Sequence, residues 1–260
     1  MQPVAGAGQA EAVVAILRDL FREDLLAVYL HGSAVSGGLR PHSDIDLIAV
    51  VKRAMTDLER ISLLAALLRI SGRHPALPAG PRCLELMVFL ASDLADLPFP
   101  ARVEFLYGEW LRDAFEQGDV PEPAGDAENT LVLAQAREQA LALFGPAAGA
   151  FLPDIPVQHV RQAMRVALPS LRANLRGDER NVLLTLARMW WTAVKDDFAT
   201  KDGAATWAAR RMPEAEAAAL VLARDAYLGA AVDMWDERQA AAEKAADYLQ
   251  ARVIACLGPA

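Results

Sequence analysis

The residues best suited to chemistry are Gly32-Ser33, followed across a turn-forming stretch by Asp44-Ile45-Asp46. If Asp46 opens a strand, the period of two puts Asp44 and Asp46 on one face. Two carboxylates so placed repel each other unless a cation sits between them. Oxygen donors suit a hard cation, and magnesium typically takes one or two carboxylates plus water and substrate phosphates. Gly32 permits close backbone approach, and the Ser33 hydroxyl with neighbouring amides could receive a phosphate where a following helix begins. Alone, Gly-Ser reads as a turn and Asp-x-Asp as a solvated strand end; it is their order together that points to a phosphate cradle beside a metal.

Glu85 is the third acid. It lies among Cys83, Leu84, Leu86, Met87 and Val88, where a carboxylate is costly to bury without a partner. It either completes the metal site or accepts a proton from a substrate hydroxyl, and the bland alternative is a carboxylate at a sheet edge. The reaction class that uses all these groups is in-line attack of an alcohol on the α-phosphate of a nucleotide, assisted by magnesium.

The elements that must position these groups follow from periodicity. Residues 11–24 read as a helix leading into a strand over Leu25–Leu30, then a loop or very short helix through Gly32, Gly37-Gly38, Pro41 and Ser43. Ile45–Val51 reads as a buried strand, 56–70 as a helix, and Cys83–Leu90 as a third strand with Glu85, Met87 and Phe89 on one face. Beyond Pro100 the pattern predicts no further strand. From Val157 onward it predicts helices over 157–175, 179–196, 203–211, 214–229 and 233–256. In the second of these, Asn181, Thr185, Arg188 and Thr192 form a polar stripe that should be wet. Arg188 on it is either paired to an acid or aimed at a phosphate. Asp178 is a good helix N-cap on spacing alone. Lys201 reads as a solvated charge, Tyr227 as a core or rim aromatic, and Trp110 as either core or a platform for a sugar-like ring.

The chain has 260 residues, 54% hydrophobic and 23% charged, a globular composition with room for two domains. No uncharged apolar run approaches the roughly 18 residues that span a bilayer. The start of the sequence lacks a basic leader, so a cytoplasmic protein with no membrane association is expected. A net charge of −8 argues against a nucleic-acid partner and favours a cationic small substrate. Cys83 and Cys256 have no metal-type spacing and read as small hydrophobes. A monomer is expected.

The block VYLHGSAVSGGLRPHSDIDLIAV resembles the nucleotidyltransferase core, and in particular the aminoglycoside adenylyltransferases that modify spectinomycin and streptomycin. The resemblance continues through EFLYGEW, AREQALALFGPAA, GDERNVLLTLARMWW and RDAYLG, nearly the whole chain in register. It implies an α+β protein with an N-terminal nucleotidyltransferase domain (1–156, a mixed sheet with flanking helices) and a C-terminal helical bundle (157–260), which bind ATP and the drug in the cleft between them. By the same resemblance, Gly32, Ser33 and Ser43 would serve the ATP phosphates. Asp44 and Asp46 would hold magnesium with Glu85, which would also be the catalytic base beside the drug. Arg188, Lys201 and Tyr227 would reach the nucleotide, and Trp110 and Asp178 the drug.

Family members that also accept streptomycin carry a Trp and an Asp before the GDERN block. This chain has LPSLRANLR there, with Arg172 and Arg176 instead. Loss of an acidic partner and gain of positive charge disfavour a guanidinium-bearing drug. The expected acceptor is therefore the 9-hydroxyl of spectinomycin. The close alternative is a dual (3'')(9) enzyme that also takes streptomycin, and the distant one is a nucleotide-binding regulatory module.

Overall fold

The computed structural model describes residues 7–40, 43–75 and 80–258. The chain divides into two compact units, Met1–Ile155 and Pro156–Ala260. In the first, the order is α1 (Ala7–Phe21), β1 (Leu25–His31), β2 (Ile45–Val51), α2 (Asp57–Ile70), β3 (Leu84–Leu90) and α3 (Ala91–Asp96). It continues through β4 (Arg102–Val103), β5 (Phe105–Gly108), α4 (Arg112–Glu116), β6 (Ala124–Gly125), α5 (Ala127–Gln139), β7 (Leu141–Phe144) and α6 (Ala148–Phe151).

Five strands form one mixed sheet in the order β5-β3-β2-β1-β7, in which β2 and β3 are parallel and the other pairs antiparallel. A parallel pair needs a crossover, which α2 supplies. Its start is fixed by a capping box, in which Thr56 Oγ1 accepts from the Glu59 N–H and Glu59 accepts from the Thr56 N–H.

Side chains alternate between two cores. Leu30, Leu47, Leu86 and Tyr107 pack on one face with Val13 and Leu17 of α1 and Leu63 and Leu67 of α2. Tyr29, Ile48, Met87 and Phe89 pack on the other with Leu133 and Ala136 of α5. By this alternation His31, Asp46, Glu85 and Gly108 belong to the α5 face, at the end of the sheet where β1 finishes and β2 and β3 begin.

The expectation of no strand beyond Pro100 is wrong. β5 and β7 close the two edges of the sheet, and β4 pairs with β6 in a separate two-stranded ribbon. Each run is too short for its period to be counted, and Leu141–Phe144 directly follows a helical pattern.

The second unit contains α7 (Val157–Ala173), α8 (Glu179–Lys195), α9 (Lys201–Ala209), α10 (Glu214–Tyr227) and α11 (Gln239–Leu257). The buried face of α8, including Val182, Leu186, Met189 and Trp190, forms its centre. The Trp190 ring meets Trp207 and Tyr248 edge-on at 5.0 and 6.2 Å between centroids. Two helix starts differ from the periodic pattern. Helix α9 starts at Lys201 because Thr200 Oγ1 caps the Gly203 N–H at 3.1 Å. Helix α11 starts at Gln239, after a 3-10 turn over Asp236–Arg238.

Candidate active site

β1 ends at His31 and the chain turns through Gly32–Ala34, a single 3-10 turn. Gly32 has φ +65°, and a Cβ there would fall 1.9 Å from Asp46 Oδ2. Both the conformation and the space therefore demand glycine, and the backbone of the turn lies directly against the Asp46 carboxylate. The element after β1 is a 3-10 turn, within the loop or very short helix that the sequence allowed. A three-residue turn has no macrodipole, so local amides and the half-buried Ser33 hydroxyl are what this loop offers.

The sheet register aligns the acids. Asp46 pairs with His31 on one side and Glu85 on the other, and Glu85 pairs in turn with Gly108. Asp44 precedes β2 by one residue and is half-buried, as are Asp46 and Glu85. The donors are all carboxylate oxygens, which fits a hard cation. Among the described residues no group of three His, Cys, Asp or Glu side chains converges closely enough to hold a metal ion. Magnesium typically takes one or two carboxylates, with water and substrate oxygens filling its remaining positions. The Cys83 thiol, pushed up to about 11 by burial and then by the Asp44 charge, stays a neutral core group.

Ser43 is held from behind. Its Oγ accepts from the Arg40 N–H at 3.1 Å, which leaves its proton to donate outward. Arg82 Nη1 donates to the carbonyls of Arg40 and Ser43 at 2.9 and 2.7 Å. The Arg82 main chain is gripped by Gln9, which accepts from its N–H at 2.8 Å and donates to its carbonyl at 3.0 Å.

Trp110 follows β5 and is 60% exposed, so of the two readings it is not core. Its ring lies over Gly108, where a Cβ would stand 2.3 Å from Cη2 and Cζ3. Beneath it, buried Glu109 accepts from the Tyr107 hydroxyl at 2.5 Å and from Arg112 Nε and Nη2 at 2.6 and 2.8 Å. Burial alone would raise the Glu109 carboxyl, but the Arg112 guanidinium and the hydrogen bonds hold it below the usual range. Arg112 also reaches the carbonyls of Leu68 and Ser71.

In the helical unit, Asp178 occupies the N-cap position of α8 but makes no capping bond to backbone. Its carboxylate accepts from Asn181 Nδ2 at 2.9 Å instead. Loss of hydration raises its pKa, against the pull of Asn181, Arg180 and Lys201. Glu179 does the ordering: it is buried and accepts from the Gly177 N–H at 3.0 Å and from Gln239. Burial opposes its ionisation, yet those bonds keep its carboxyl below the ordinary value.

Lys201 Nζ lies 3.3 Å from Asn181 Oδ1 and 5.6 Å from the Tyr227 ring centroid. Asp178, Asn181, Lys201 and Tyr227 thus form one polar group. Arg188 stands further along the same face of α8, half-buried. The wet stripe ends there, because Thr192 is buried. Arg172, in the last turn of α7, pairs with Asp247 at 2.6 Å. It borders a cleft of about 420 Å³ with Arg176, Gln239 and Glu243.

Sequence reasoning passed over three residues that matter to this arrangement: His31, Gly108 and Glu109. The histidine beside Gly32-Ser33 was the one visible signal; the other two acquire meaning only from the strand pairing.

A mixed sheet that carries Gly-Ser at one strand end and acids on two parallel neighbours defines a nucleotidyltransferase-type enzyme. Residues 13–77 match the family described as Polymerase beta, Nucleotidyltransferase, and residues 150–252 match Aminoglycoside adenylyltransferase, C-terminal domain. A spectinomycin 9-adenylyltransferase of Staphylococcus aureus is 41% identical over 88% of this chain and 87% of its own length. An aminoglycoside (3'') (9) adenylyltransferase of Escherichia coli is 36% identical over 96% of this chain and 95% of its own. The crystal structure of spectinomycin adenyltransferase AAD(9) from Enterococcus faecialis, with ATP and spectinomycin, matches with a TM-score of 0.88 at 30% identity, covering 95% of this chain and 98% of that one. The chain belongs to the aminoglycoside adenylyltransferase family.

Proposed function

We propose that the protein transfers the adenylyl group of ATP to the 9-hydroxyl of spectinomycin and so confers resistance to the drug. The observation that carries this reading is the alignment of Asp46 and Glu85 as register partners with the Gly32 turn packed on Asp46. It supports a reading in which the Gly32 turn meets phosphate while Asp46 and Glu85, on one sheet face, serve as metal-type acid and candidate base.

Glu85 takes the proton of the drug hydroxyl as its oxygen attacks the α-phosphorus. The bond from that phosphorus to the oxygen bridging to the β-phosphorus breaks, and pyrophosphate leaves. Asp44 and Asp46, with Glu85 beside them, would hold magnesium. When bound, that ion neutralises phosphate charge and orients the triphosphate for in-line displacement. Gly32 and Ser33 bring amides and a hydroxyl to the phosphates, and the Ser43 hydroxyl donates from the other end of the loop. Arg188, Lys201 and Tyr227 serve the nucleotide, while Trp110 and Asp178 serve the drug. In this assignment residues 1–156 carry the chemistry and 157–260 the ligand-recognition helices. Among the described residues no helix is long and apolar enough to cross a membrane. A cytoplasmic monomer that uses cellular ATP and binds no nucleic acid fits the −8 charge.

Preference for spectinomycin over streptomycin is supported by the Arg172 and Arg176 stretch, although Asp247 already offsets part of the Arg172 charge. Purified protein with ATP, magnesium and each drug, read by mass spectrometry, tests the proposal. A single adenylyl addition to spectinomycin and none to streptomycin is expected. Comparable turnover of both drugs overturns the specificity, and turnover of neither overturns the function.

A further inference from the structure

Gly108 has ordinary extended backbone, with φ −155° and ψ 148°, so the chain conformation there does not require glycine. What requires it is Trp110. A Cβ at position 108 would stand 2.3, 2.3 and 2.6 Å from Cη2, Cζ3 and Cζ2, so the outer edge of the indole fills the space that a side chain would take. That space has a definite address. Gly108 is the antiparallel register partner of Glu85, so its missing Cβ points to the same sheet face as the Glu85 carboxylate, about 5 Å from the Glu85 Cβ. The chain next to the indole is anchored, because Glu109 accepts hydrogen bonds from Tyr107 and Arg112. A large aromatic left 60% exposed beside a carboxylate is a contact surface.

We propose that Gly108 positions a drug-binding aromatic: its absent side chain forms the slot that seats the Trp110 indole beside Glu85, and the seated ring shapes the surface that receives the drug. This rests on the reading that Glu85 faces the acceptor hydroxyl. Gly108 is a positioning residue, acting through Trp110.

The test is a cycle in the Glu85→Gln protein, whose turnover is expected to be slow enough not to disturb a titration. Spectinomycin is titrated calorimetrically with ATP and magnesium present, into the parent, Gly108→Ala, Trp110→Ala and the double variant. Each single change is expected to weaken spectinomycin by about tenfold or more, with the double variant no weaker than Trp110→Ala and ATP affinity within about twofold throughout. Binding by Gly108→Ala equal to the parent overturns the proposal, as does an undiminished effect of Gly108→Ala in the Trp110→Ala background. If Gly108→Ala alone does not fold, the double variant, freed of the clash, must fold; a double variant equally unfolded also overturns it.

Fluorine NMR of 5-fluorotryptophan protein examines the slot without any drug. The Trp110 resonance, identified by its loss in Trp110→Ala, must move in Gly108→Ala while the other tryptophan signals stay, and an unmoved resonance overturns the proposal. A parent that binds ATP but no spectinomycin defeats the reading of the acceptor, and the resonance then still decides the slot.

Discussion

Asp46 on β2 and Glu85 on β3 are direct register partners in a parallel pair, so their carboxyl groups leave the same face of the sheet side by side. Neighbouring acids on a sheet destabilise each other unless positive charge or a shared proton intervenes.

Glu85→Gln keeps the shape of the side chain and removes its basicity. Turnover of spectinomycin is expected to fall by about 10²–10⁴-fold, the range for a general base, with ATP affinity largely retained. Rate measurements alongside ATP titration check this; a variant within a few-fold of wild type would exclude Glu85 as the base.

Gly32→Ala should be among the most damaging small substitutions. The new methyl group meets Asp46 Oδ2 at 1.9 Å and forces a positive φ on alanine. Loss of ATP-magnesium binding is expected by calorimetry, together with a lowered melting temperature. Gly8→Ala in α1, where a Cβ meets nothing within 4 Å, is the matched control and should leave both unchanged or slightly improve stability.

Arg112→Met leaves the buried Glu109 carboxylate without its main partner. Breaking such a pair from one side costs about 3–5 kcal/mol. Urea denaturation should show a loss of that order. A cost below about 1 kcal/mol would mean that Tyr107 alone satisfies Glu109.

Acid stability has a stated sign. Glu59 is held down to about 2, chiefly by Arg53, and Glu109 and Glu179 also lie below their ordinary value. A carboxyl depressed in the folded state contributes stability that is present above its unfolded pKa, about 4.3, and lost as pH falls through the folded one. Stability should thus decline from about pH 5 toward pH 2. Glu59→Gln should flatten that slope in urea titrations at successive pH values, and an unchanged slope would remove the Arg53 pair from the account.

Two of the candidate acids were legible in the sequence because they lie on strands long enough to count. Asp46 and Glu85 could be assigned faces from the period of two, and the alternation of the two cores agrees with those faces. The edges of the sheet were not legible, since Phe105–Gly108 and Leu141–Phe144 are four residues each. The slot beneath Trp110 was hidden for the same reason: it exists only through the pairing of Glu85 with Gly108. Asp178 shows a different limit. Its spacing marks an N-cap, but Asn181 one turn on competes for the carboxylate, and a side-chain bond replaces the backbone one.

The Tyr107–Glu109–Arg112 clamp ties the tryptophan-bearing segment to the carbonyls of Leu68 and Ser71, in addition to the strand pairing of Gly108 with Glu85. The loop that carries Trp110 is thus braced twice, once by the sheet and once by the end of α2, so that loosening either anchor alone leaves the other to hold the indole.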